Sequence, residues 1–252
     1  QMTAGLQPSD LSIVAARPSM GKTAFALNMA MRAAVQDNVP VAIYSLEMSM
    51  DQLMMRMLCA WGKVDLGHLR RGYLDSEEWS RLYHAADVLG QAPIYIDDTP
   101  GITVAAMKAK LRRMKNLGLV VIDYLQLMSS TKNYNGNRVV EISDITRNLK
   151  IMAKELNVPV ITLSQLARGP EQRPDKRPML SDLRESGSIE QDADIVMFLY
   201  RNSYYDKTDP NVHSCECIVA KNRHGEPGTV PLGWDGEFTR FTNAELVRQE
   251  GQ

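Results

Sequence analysis

Residues 16–23 read Ala-Arg-Pro-Ser-Met-Gly-Lys-Thr, and this stretch decides the fold. It follows the apolar run Leu11–Ala15 and precedes an amphipathic segment that begins at Ala24. A strand, a loop and a helix in that order are the setting of a phosphate-binding loop, in which backbone N–H groups and the positive helix N-terminus face the phosphates. The generic pattern has glycine where this chain has Ala16, but Gly21 keeps the position of closest backbone approach. The stretch, called the P-loop below, therefore predicts that the chain binds a nucleoside triphosphate.

The P-loop pattern assigns roles to its residues. Lys22 is expected to reach the β- and γ-phosphates, and the Thr23 hydroxyl is expected to hold Mg²⁺. The predicted nucleotide contacts are Arg17, Ser19, Met20, Gly21, Lys22, Thr23 and Ala24. The alternative, a Gly-Lys-Thr helix start that binds nothing, fits these flanks poorly. The predicted cofactors are thus ATP, or another nucleoside triphosphate, and Mg²⁺.

Composition limits the partners. The 252 residues carry 29 Lys and Arg against 30 Asp and Glu, a formal net charge of −1. A polyanion site must therefore be a local patch, or a modest patch repeated around an oligomer. No membrane-length apolar run and no signal-peptide pattern occurs, so we expect no membrane partner. The three cysteines fit a reducing cytoplasm, and Cys215 and Cys217 are expected to share a strand face rather than to form a metal or redox pair. Gln1 in place of Met predicts an excised or processed fragment.

Apolar runs alternate with helical patterns, which predicts an α/β fold with a mostly parallel twisted sheet flanked by helices. The predicted strands are Leu11–Ala15, Val39–Leu46, Ile94–Ile96, Leu119–Ile122, Val158–Leu163 and Ile195–Leu199. The predicted helices are Lys22–Val35, Met50–Trp61, Ser76–Leu89, Thr103–Asn116 and Val139–Leu156. In the first helix the core face is predicted at Phe25, Ala26, Met29, Ala30 and Ala33. Antiparallel hairpin strands are predicted at the C-terminal edge, at Ser214–Ala220, Gly228–Trp234 and Glu237–Phe241. Without internal repeats, residues 1–252 are predicted to form one domain.

Two carboxylates follow predicted strands. The hydrophobic run 119–122 ends in Asp123, which beside a P-loop predicts a Mg²⁺ ligand acting through water; a capping or turn aspartate is the alternative. ATPases often place a catalytic glutamate directly afterwards, but here Tyr124 holds that position. Glu47 ends the second predicted strand, and the carboxyl ends of strands in a doubly wound sheet face the ligand. Glu47 is thus the candidate base that activates the attacking water, unless it belongs to the capping region of the next helix, where Ser49 is a good N-cap.

A polar amide, Gln165, follows another predicted strand. It is placed to sense the γ-phosphate and to transmit its presence into the following loop, 166–183. That loop is predicted to lack regular structure, and its cations are Arg168, Arg173, Lys176 and Arg177. Arg184-Glu-Ser-Gly187 then precedes a predicted helix start, whose backbone N–H groups suit a DNA phosphate. A solvated loop with a structural glycine is an equal alternative.

Two cations, Lys221 and Arg223, end the predicted strand Ser214–Ala220. At positions i and i+2 they point to one face of a strand, and Gly225 permits a tight turn after them. They are either surface charges or cations inserted into a neighbouring subunit's nucleotide site, where an arginine finger contributes about 10³–10⁵ in rate. Spacing alone leaves both open.

Six segments, in order along nearly the whole chain, closely resemble bacterial replicative DNA helicases of the DnaB type. They are Ala16–Thr23, Ser45–Ser49, Val121–Leu127, Leu163–Leu166, Ser181–Asp194 and Ala220–Arg223. The resemblance implies a RecA-like P-loop NTPase fold and a homohexameric ring. It further implies 5′-to-3′ translocation on single-stranded DNA, driven by NTP hydrolysis, with duplex unwinding.

The same resemblance implies roles for individual residues. Glu47 is the catalytic base, and Lys221 and Arg223 act on the nucleotide of the neighbouring subunit. With these, Lys22, Asp123 and Gln165 complete the predicted catalytic set. Arg184, Glu185 and Gly187 lie in the pore loop that contacts the DNA backbone. The family also has an N-terminal domain and a linker helix that are absent here, so primase and a helicase loader are expected to be partners of the full-length protein.

Two other functions share parts of this pattern. A RecA-type recombinase has the fold, the P-loop and a glutamate after its second strand, but it lacks the 181–194 signature and forms filaments rather than rings. A non-motor ATP-dependent switch or autokinase of the same superfamily turns over nucleotide without responding to single-stranded DNA. His224 receives no role from either the pattern or the resemblance.

Overall fold

The computed structural model describes residues 3, 5–167 and 169–244, apart from the side chains of residues 184–188. Its strands are β1 Leu11–Ala16, β2 Val41–Ser45, β3 Ile94–Asp97, β4 Leu119–Asp123, β5 Val160–Gln165, β6 Ile195–Tyr200, β7 Ser214–Asn222, β8 Gly228–Asp235 and β9 Arg240–Asn243. Its α-helices are α1 Lys22–Gln36, α2 Met50–Gly62, α3 Leu66–Arg71, α4 Ser76–Gln91, α5 Val104–Leu111, α6 Arg138–Leu156, α7 Gly187–Asp192 and α8 Asn202–Tyr205.

The strands form one sheet in the order β3-β2-β4-β5-β1-β6-β7-β8-β9. Pairings from β3 to β6 are parallel, and those from β6 to β9 are antiparallel. The predicted α/β class, mostly parallel with antiparallel strands at the C-terminal end, is confirmed. The P-loop and the residues that follow β2, β4 and β5 therefore meet at one side of the sheet, the carboxyl edge. Asp10 before β1, Asp194 before β6 and the end of β7 meet at the opposite side, the amino edge.

Apolar layers cover both faces of the sheet. Every residue of β1, β2, β4 and β6 is buried. One layer packs these strands against α5 and α6, and the other packs them against α1 and α2. Burial on both faces explains why these strands read as continuous apolar runs rather than as alternating ones. Ile13 and Ile43 are 0% and 1% exposed, and full burial of each contributes about 1.5–3 kcal/mol. The carboxyl edge thus stands on a rigid base.

Several element boundaries differ from the sequence prediction. The fifth helix stops at Leu111 because residues 112–116 form turns that lead into β4, with Asn116 at φ 55°. The last strand begins at Arg240 instead of residue 237 because the chain turns first, with Thr239 at φ 54°. Helix α3 was not predicted; the Asp65 side chain caps it by accepting a hydrogen bond from the N–H of His68 at 2.8 Å.

The buried face of α1 is also rotated from the predicted one. Ala26 and Ala30 are buried as expected, but Phe25, Met29 and Ala33 are only half-buried. The buried positions are Ala24, Ala26, Leu27, Ala30, Met31 and Ala34. The rotation follows from β9, whose Phe241 ring meets the Phe25 ring edge-on at 5.3 Å between centroids. Leu27, Met31 and three alanines of α1 pack in the apolar layer against the sheet, and the aromatic ring meets the C-terminal strand.

Cys215 and Cys217 are both buried on β7, as predicted for one strand face, and both are free thiols. Burial raises the pKa of the Cys215 thiol to about 12 and that of Cys217 to about 11, so these thiols stay protonated near neutral pH. Among the helices in the described residues, none has the length and apolar character needed to cross a membrane.

Candidate nucleotide-binding site

A cleft of about 400 Å³ opens at the carboxyl edge, above the P-loop. Its lining residues are Ala16, Arg17, Pro18, Ser19, Gly21, Lys22, Thr23, Ala24, Glu47, Met48, Arg56, Gln165, Trp234 and Thr239. Six of the seven predicted nucleotide contacts lie here. The seventh, Met20, is 1% exposed and packs in the apolar layer below the loop. A larger apolar groove of about 510 Å³ between α1, α2 and β9 contains none of the predicted site residues.

The P-loop conformation depends on Gly21. Its φ of 90° lies in the left-handed region, and a Cβ there would sit 2.9 Å from the Phe241 ring and 3.0 Å from the Trp234 ring. The Gly21 carbonyl accepts the hydrogen bond of Phe25 N–H at 2.8 Å, which starts α1. The N-terminus of α1 therefore faces the cleft, in the arrangement that binds anions.

Asp123 of β4 meets the P-loop at the bottom of the cleft. The Thr23 hydroxyl donates to Asp123 Oδ2 at 2.6 Å, and Lys22 Nζ lies 3.9 Å from Asp123 Oδ1. Burial raises the pKa of the Asp123 carboxyl, against the opposing effects of Lys22 and Thr23. Burial also lowers the pKa of the Lys22 ammonium, although Asp123 and Glu47 attract it. The attraction between Lys22 and Asp123 therefore does not fully compensate the cost of removing their charges from water.

Asp123 also offers a test of whether Mg²⁺ fits. Its Oδ1 is buried and has no hydrogen-bond partner among the described residues. With the Thr23 hydroxyl it forms a hard oxygen pair, which Mg²⁺ prefers. No group of three or more His, Cys, Asp or Glu in the described part of the chain could hold a metal ion. One carboxylate and one hydroxyl are the number of protein ligands expected where substrate phosphates supply the rest.

Glu47 is exposed and lines the cleft just beyond β2. The register pairs Ser45 with Asp123, which brings Glu47 to the same edge as the P-loop. Glu47 takes no part in the helix cap that follows: Ser49 and Gln52 form a reciprocal capping box at the start of α2. The carboxylate of Glu47 is therefore free to face a ligand.

Tyr124, which holds the position of the usual glutamate, packs on the P-loop lysine. Its ring centroid lies 4.3 Å from Lys22 Nζ, a cation–π distance. Burial raises the pKa of the Tyr124 hydroxyl, and the charges of Glu47 and Asp123 raise it further. Tyr124 therefore packs against Lys22, and Glu47 is the exposed carboxylate among the residues that line the cleft.

Gln165 and Arg17 connect the cleft to the loop that follows β5. Gln165 lies at the cleft beside Ala16, its register partner. Arg17 Nη1 donates to the carbonyl of Leu166 at 2.7 Å, and its Nε donates to Glu171 Oε1 at 2.9 Å. The P-loop and the loop 166–183 are therefore tied directly together, through a contact that the sequence did not predict.

The loop 166–183 is more ordered than predicted. It contains a 3₁₀ turn at Gly169–Gln172, and Arg173 binds both oxygens of Asp182 at 2.8 Å each. Arg177 binds both oxygens of Glu216 on β7, at 2.9 and 2.6 Å. Asp182 and Glu216 therefore neutralise Arg173 and Arg177, two of the four cations noted in this loop of the sequence. Each of these two arginines pairs with a carboxylate rather than with solvent alone.

The predicted DNA-contact residues follow this loop. The side chains of Arg184, Glu185 and Gly187 lie outside the described residues, as does all of Arg168. At backbone level, a 3₁₀ segment spans Leu180–Ser186 and α7 begins at Gly187. A helix start was predicted after the segment 184–187, and the helix begins at the last residue of that segment.

Lys221 and Arg223 lie at the amino edge, away from the cleft of their own chain. Lys221 Nζ donates to the carbonyl of Ala193 at 2.7 Å, and Arg223 Nη1 reaches Asp194 Oδ1 at 3.3 Å. The six residues of β1 separate the two edges by roughly 16 Å, at about 3.3 Å per residue step. In this conformation the pair cannot touch a nucleotide held by the P-loop of the same chain.

Cations at the cleft were missed by the sequence reasoning. Arg56 of α2 lines the cleft, and its charge opposes the rise in the pKa of Asp123 that burial causes. Arg201 lies over the Trp234 ring at 4.5 Å and donates to the carbonyl of Ser19 at 3.4 Å. Of the five buried side-chain atoms without a hydrogen-bond partner in the described residues, three belong to Arg56, Asp123 and Arg201. Arg56 could have been singled out from the sequence, because it is a charged residue between two apolar ones, Leu53 and Met57, which are buried on α2. No comparable feature of the sequence singles out Arg201.

Comparison with known proteins is consistent with this geometry. The family model described as "DnaB-like helicase C terminal domain" matches residues 1–243. The "Replicative DNA helicase DnaB" of Geobacillus stearothermophilus is 56% identical over 255 residues, which cover 100% of this chain and 56% of that protein. The chain spans just over half the length of the curated relatives it matches.

Two solved structures match closely. The "ATPase Domain of G40P" is 44% identical with a TM-score of 0.92, over 96% of this chain and 87% of that one. "The Structure Of A DnaB-Like Replicative Helicase And Its Interactions With Primase" is 43% identical with a TM-score of 0.92, over 96% of this chain and 59% of that one. These structures share the fold as well as much of the sequence.

Proposed function

The chain belongs to the family of DnaB-like helicase C-terminal domains, and we propose that it is the ATP-driven motor of a replicative DNA helicase. In this proposal, nucleotide sites between the subunits of a hexameric ring hydrolyse ATP. Hydrolysis drives 5′-to-3′ translocation on single-stranded DNA and unwinds the duplex. The family assignment favours this function over the recombinase and switch alternatives. The protein then works in the cytoplasm, where the chromosome is replicated.

The observation that carries the proposal is the bottom of the carboxyl-edge cleft. Asp123 keeps a buried oxygen without a hydrogen-bond partner, next to the Thr23 hydroxyl and the desolvated Lys22. Unpaired, desolvated groups cost free energy in the absence of a ligand, which is typical of a site built for one. ATP with Mg²⁺ is the ligand we propose, with Thr23 and Asp123 as the metal-holding residues.

Each residue of the cleft then has a task. Bound Mg²⁺ supplies positive charge that neutralises the phosphates. The backbone of residues 19–24 and Lys22 hold the triphosphate at the N-terminus of α1, and Arg17 contributes from the rim. Glu47 accepts a proton from the attacking water. Gln165 responds to the γ-phosphate and passes the signal to the loop 166–183.

The neighbouring subunit completes the site in this proposal. Lys221 and Arg223 face away from their own P-loop, which supports action on the nucleotide of the next chain. Single-stranded DNA is the proposed polymer partner, held by the backbone near Arg184, Glu185 and Gly187. One solved relative is described with primase, and we propose that primase and a helicase loader bind through the full-length protein.

Replacement of Glu47 by Gln in the full-length protein tests the motor function. Turnover of ATP stimulated by single-stranded DNA should fall by about 10²–10⁴-fold, because the proton acceptor is lost, while nucleotide binding persists. Asp51→Asn is the matched control, since Asp51 is an exposed carboxylate on the next helix that does not line the cleft.

The possible outcomes separate the hypotheses. Normal hydrolysis by Glu47→Gln would refute its role as the base. Hydrolysis by the unaltered protein that ignores single-stranded DNA would favour the switch. Filaments instead of rings in electron micrographs would favour the recombinase.

A further inference from the structure

The cation pair Lys221 and Arg223 grips the C-terminal end of α7. Lys221 Nζ donates to the carbonyls of Glu190 at 2.6 Å and Ala193 at 2.7 Å. Arg223 Nη2 donates to the carbonyl of Gln191 at 2.7 Å. The last carbonyls of a helix lack partners within the helix and carry partial negative charge, so both cations are well placed as caps.

A buried carboxylate holds Arg223 in this position. Asp194 is 3% exposed, and its Oδ1 lies 3.3 Å from Arg223 Nη1. Its Oδ2 accepts from Leu11 N–H at 2.8 Å and from Lys150 Nζ at 2.5 Å. Asp194 is thereby fixed to β1 and α6, and it offers Arg223 a rigid anchor between two elements of the core.

A second carboxylate nearby does not touch the pair. Asp10 is 6% exposed, and its Oδ2 lies 2.6 Å from His224 Nε2, with Lys150 Nζ 3.9 Å from its Oδ1. Asp10 and Asp194 therefore resemble each other in burial and share Lys150. Only Asp194 contacts a member of the cation pair.

Desolvation and like-charge repulsion oppose the binding of Lys221 and Arg223 to the end of α7. Burial lowers the pKa of the Lys221 ammonium, and the like charge of Arg223 lowers it further. Two cations held side by side are thus stabilised by the carbonyls of residues 190, 191 and 193, by Asp194, and by the negative charges of Glu190 and Asp192. The γ-phosphate of a nucleotide offers several charged oxygens that can accept hydrogen bonds from both cations, so it can compete for the pair.

We propose that the end of α7 and Asp194 form a holding site for Lys221 and Arg223, with Asp194 as a positioning residue. The pair occupies this site when the neighbouring nucleotide cleft is empty and leaves it to contact a bound nucleotide. This inference rests on the proposed function. Because α7 begins at Gly187, within the predicted DNA-contact segment, departure of the pair uncaps the helix directly behind that segment. Nucleotide occupancy in one subunit then changes DNA grip in the next.

A comparison of two variants of the full-length protein tests the coupling. The affinity for fluorescent single-stranded DNA is measured with and without a non-hydrolysable ATP analogue and Mg²⁺. We expect the ratio of the two affinities to be at least about tenfold in the unaltered protein, within the usual range of allosteric coupling. Asp194→Asn should reduce the ratio to less than about threefold, since Arg223 loses its anchor and α7 its capped state.

Asp10→Asn is the matched control, because it removes a similarly buried carboxylate from the same network without touching the pair. It should keep the ratio of the unaltered protein, whatever its effect on melting temperature. A ratio in Asp194→Asn equal to that in Asp10→Asn would overturn the positioning role. Such a result means that Asp194 serves stability alone.

Amide hydrogen exchange of the segment 188–194 provides a second reading that does not require DNA. In the unaltered protein, exchange should become faster when the ATP analogue and Mg²⁺ are added, since the caps leave α7. Lys22→Met, which removes the phosphate-binding ammonium, should abolish that response. Unchanged exchange on saturation with the analogue would overturn the holding site. Absence of DNA binding with nucleotide-dependent exchange intact would instead overturn the helicase function and leave the holding site standing.

Discussion

The two edges of the sheet use the same kinds of charged residue in opposite ways. At the carboxyl edge, Asp123 has one buried oxygen without a hydrogen-bond partner, and Lys22 lies 3.9 Å from it. At the amino edge, both oxygens of Asp194 are engaged, by Arg223 and by Lys150 together with the backbone N–H of Leu11. One edge holds charges that lack full compensation, and the other holds charges that satisfy one another.

The difference teaches how to distinguish a ligand site from a structural network. A buried charge costs several kcal/mol unless hydrogen bonds and opposite charges offset that cost. The amino edge supplies the offset from within the chain, so its network stabilises the fold. At the carboxyl edge, part of the desolvation cost of the buried charges can be compensated only when a ligand binds. The Nε atoms of Arg56 and Arg201, which are buried without a hydrogen-bond partner among the described residues, add to this uncompensated cost.

Replacement of Asp123 and of Asp194 by asparagine should give the largest difference between the two edges, in ATP turnover and in the free energy of unfolding. Asp123→Asn should lower ATP turnover by at least about 10²-fold, because a metal ligand contributes several kcal/mol to the transition state. Its free energy of unfolding without nucleotide should change by less than about 1 kcal/mol, because a weakly compensated charge is removed. Asp194→Asn should lower the free energy of unfolding by about 1–3 kcal/mol, since it weakens hydrogen bonds from charged groups.

Urea unfolding of both variants without nucleotide measures the stability, and a phosphate-release assay measures the turnover. Equal losses of stability in the two variants would show that Asp123 stabilises the fold as much as Asp194 does. The contrast between the edges would then fail.

The carboxyl edge was largely predictable from the sequence, and the reason is topological. A parallel sheet brings the ends of its strands to one side, so Glu47, Asp123 and Gln165 could be placed near the P-loop without knowledge of any long-range contact. The helix and strand boundaries that failed, at Leu111 and Arg240, lie where turns with positive φ redirect the chain. Propensity and periodicity carry little information about such turns.

The pairing of charges was not predictable, because it depends on contacts between distant parts of the chain. Arg177 and Glu216 are 39 residues apart, and Asp10 and His224 are 214 residues apart. Nothing local in the sequence distinguishes Arg177, which is neutralised, from a cation that faces a ligand. For the same reason, spacing left Lys221 and Arg223 open between surface charges and functional ones.

The loop 166–183 extends the comparison to cations, and DNA binding can test it. Arg173→Gln should weaken the affinity for single-stranded DNA by releasing Asp182 and loosening the loop. It should leave the slope of log affinity against log salt unchanged, because a cation already paired with a carboxylate releases no counterion from DNA. Arg184→Gln, at a predicted phosphate contact, should reduce the magnitude of that slope by about 1.

Fluorescence anisotropy over a series of salt concentrations gives both slopes. A reduced slope for Arg173→Gln would mean that Arg173 leaves Asp182 to contact DNA. Arg173 would then resemble the charges of the carboxyl edge, which are available to a ligand, rather than the paired charges of the amino edge.

The smallest effect is expected at a partly exposed pair far from both edges, formed by the half-buried His68 of α3 and the buried Glu78 of α4. His68 Nδ1 and Glu78 Oε1 lie 2.8 Å apart. The hydrogen bond that His68 donates to Glu78 raises the pKa of His68, and the Asp75 backbone N–H together with His68 lowers the pKa of Glu78. The contribution of His68 is present below its ordinary pKa of about 6.5 and is lost as pH rises through its raised folded value. The contribution of Glu78 is present above its ordinary pKa of about 4.3 and is lost as pH falls through its lowered folded value.

His68→Asn should therefore lower the melting temperature most between about pH 4.3 and 6.5, and less on either side. His84→Asn, at an exposed histidine on α4, serves as the control in the same melting series. A loss for His68→Asn that does not vary with pH would show that the ring packs against α4 without forming an ion pair. It would also show that solvent around the half-buried His68 screens away the benefit of charge pairing.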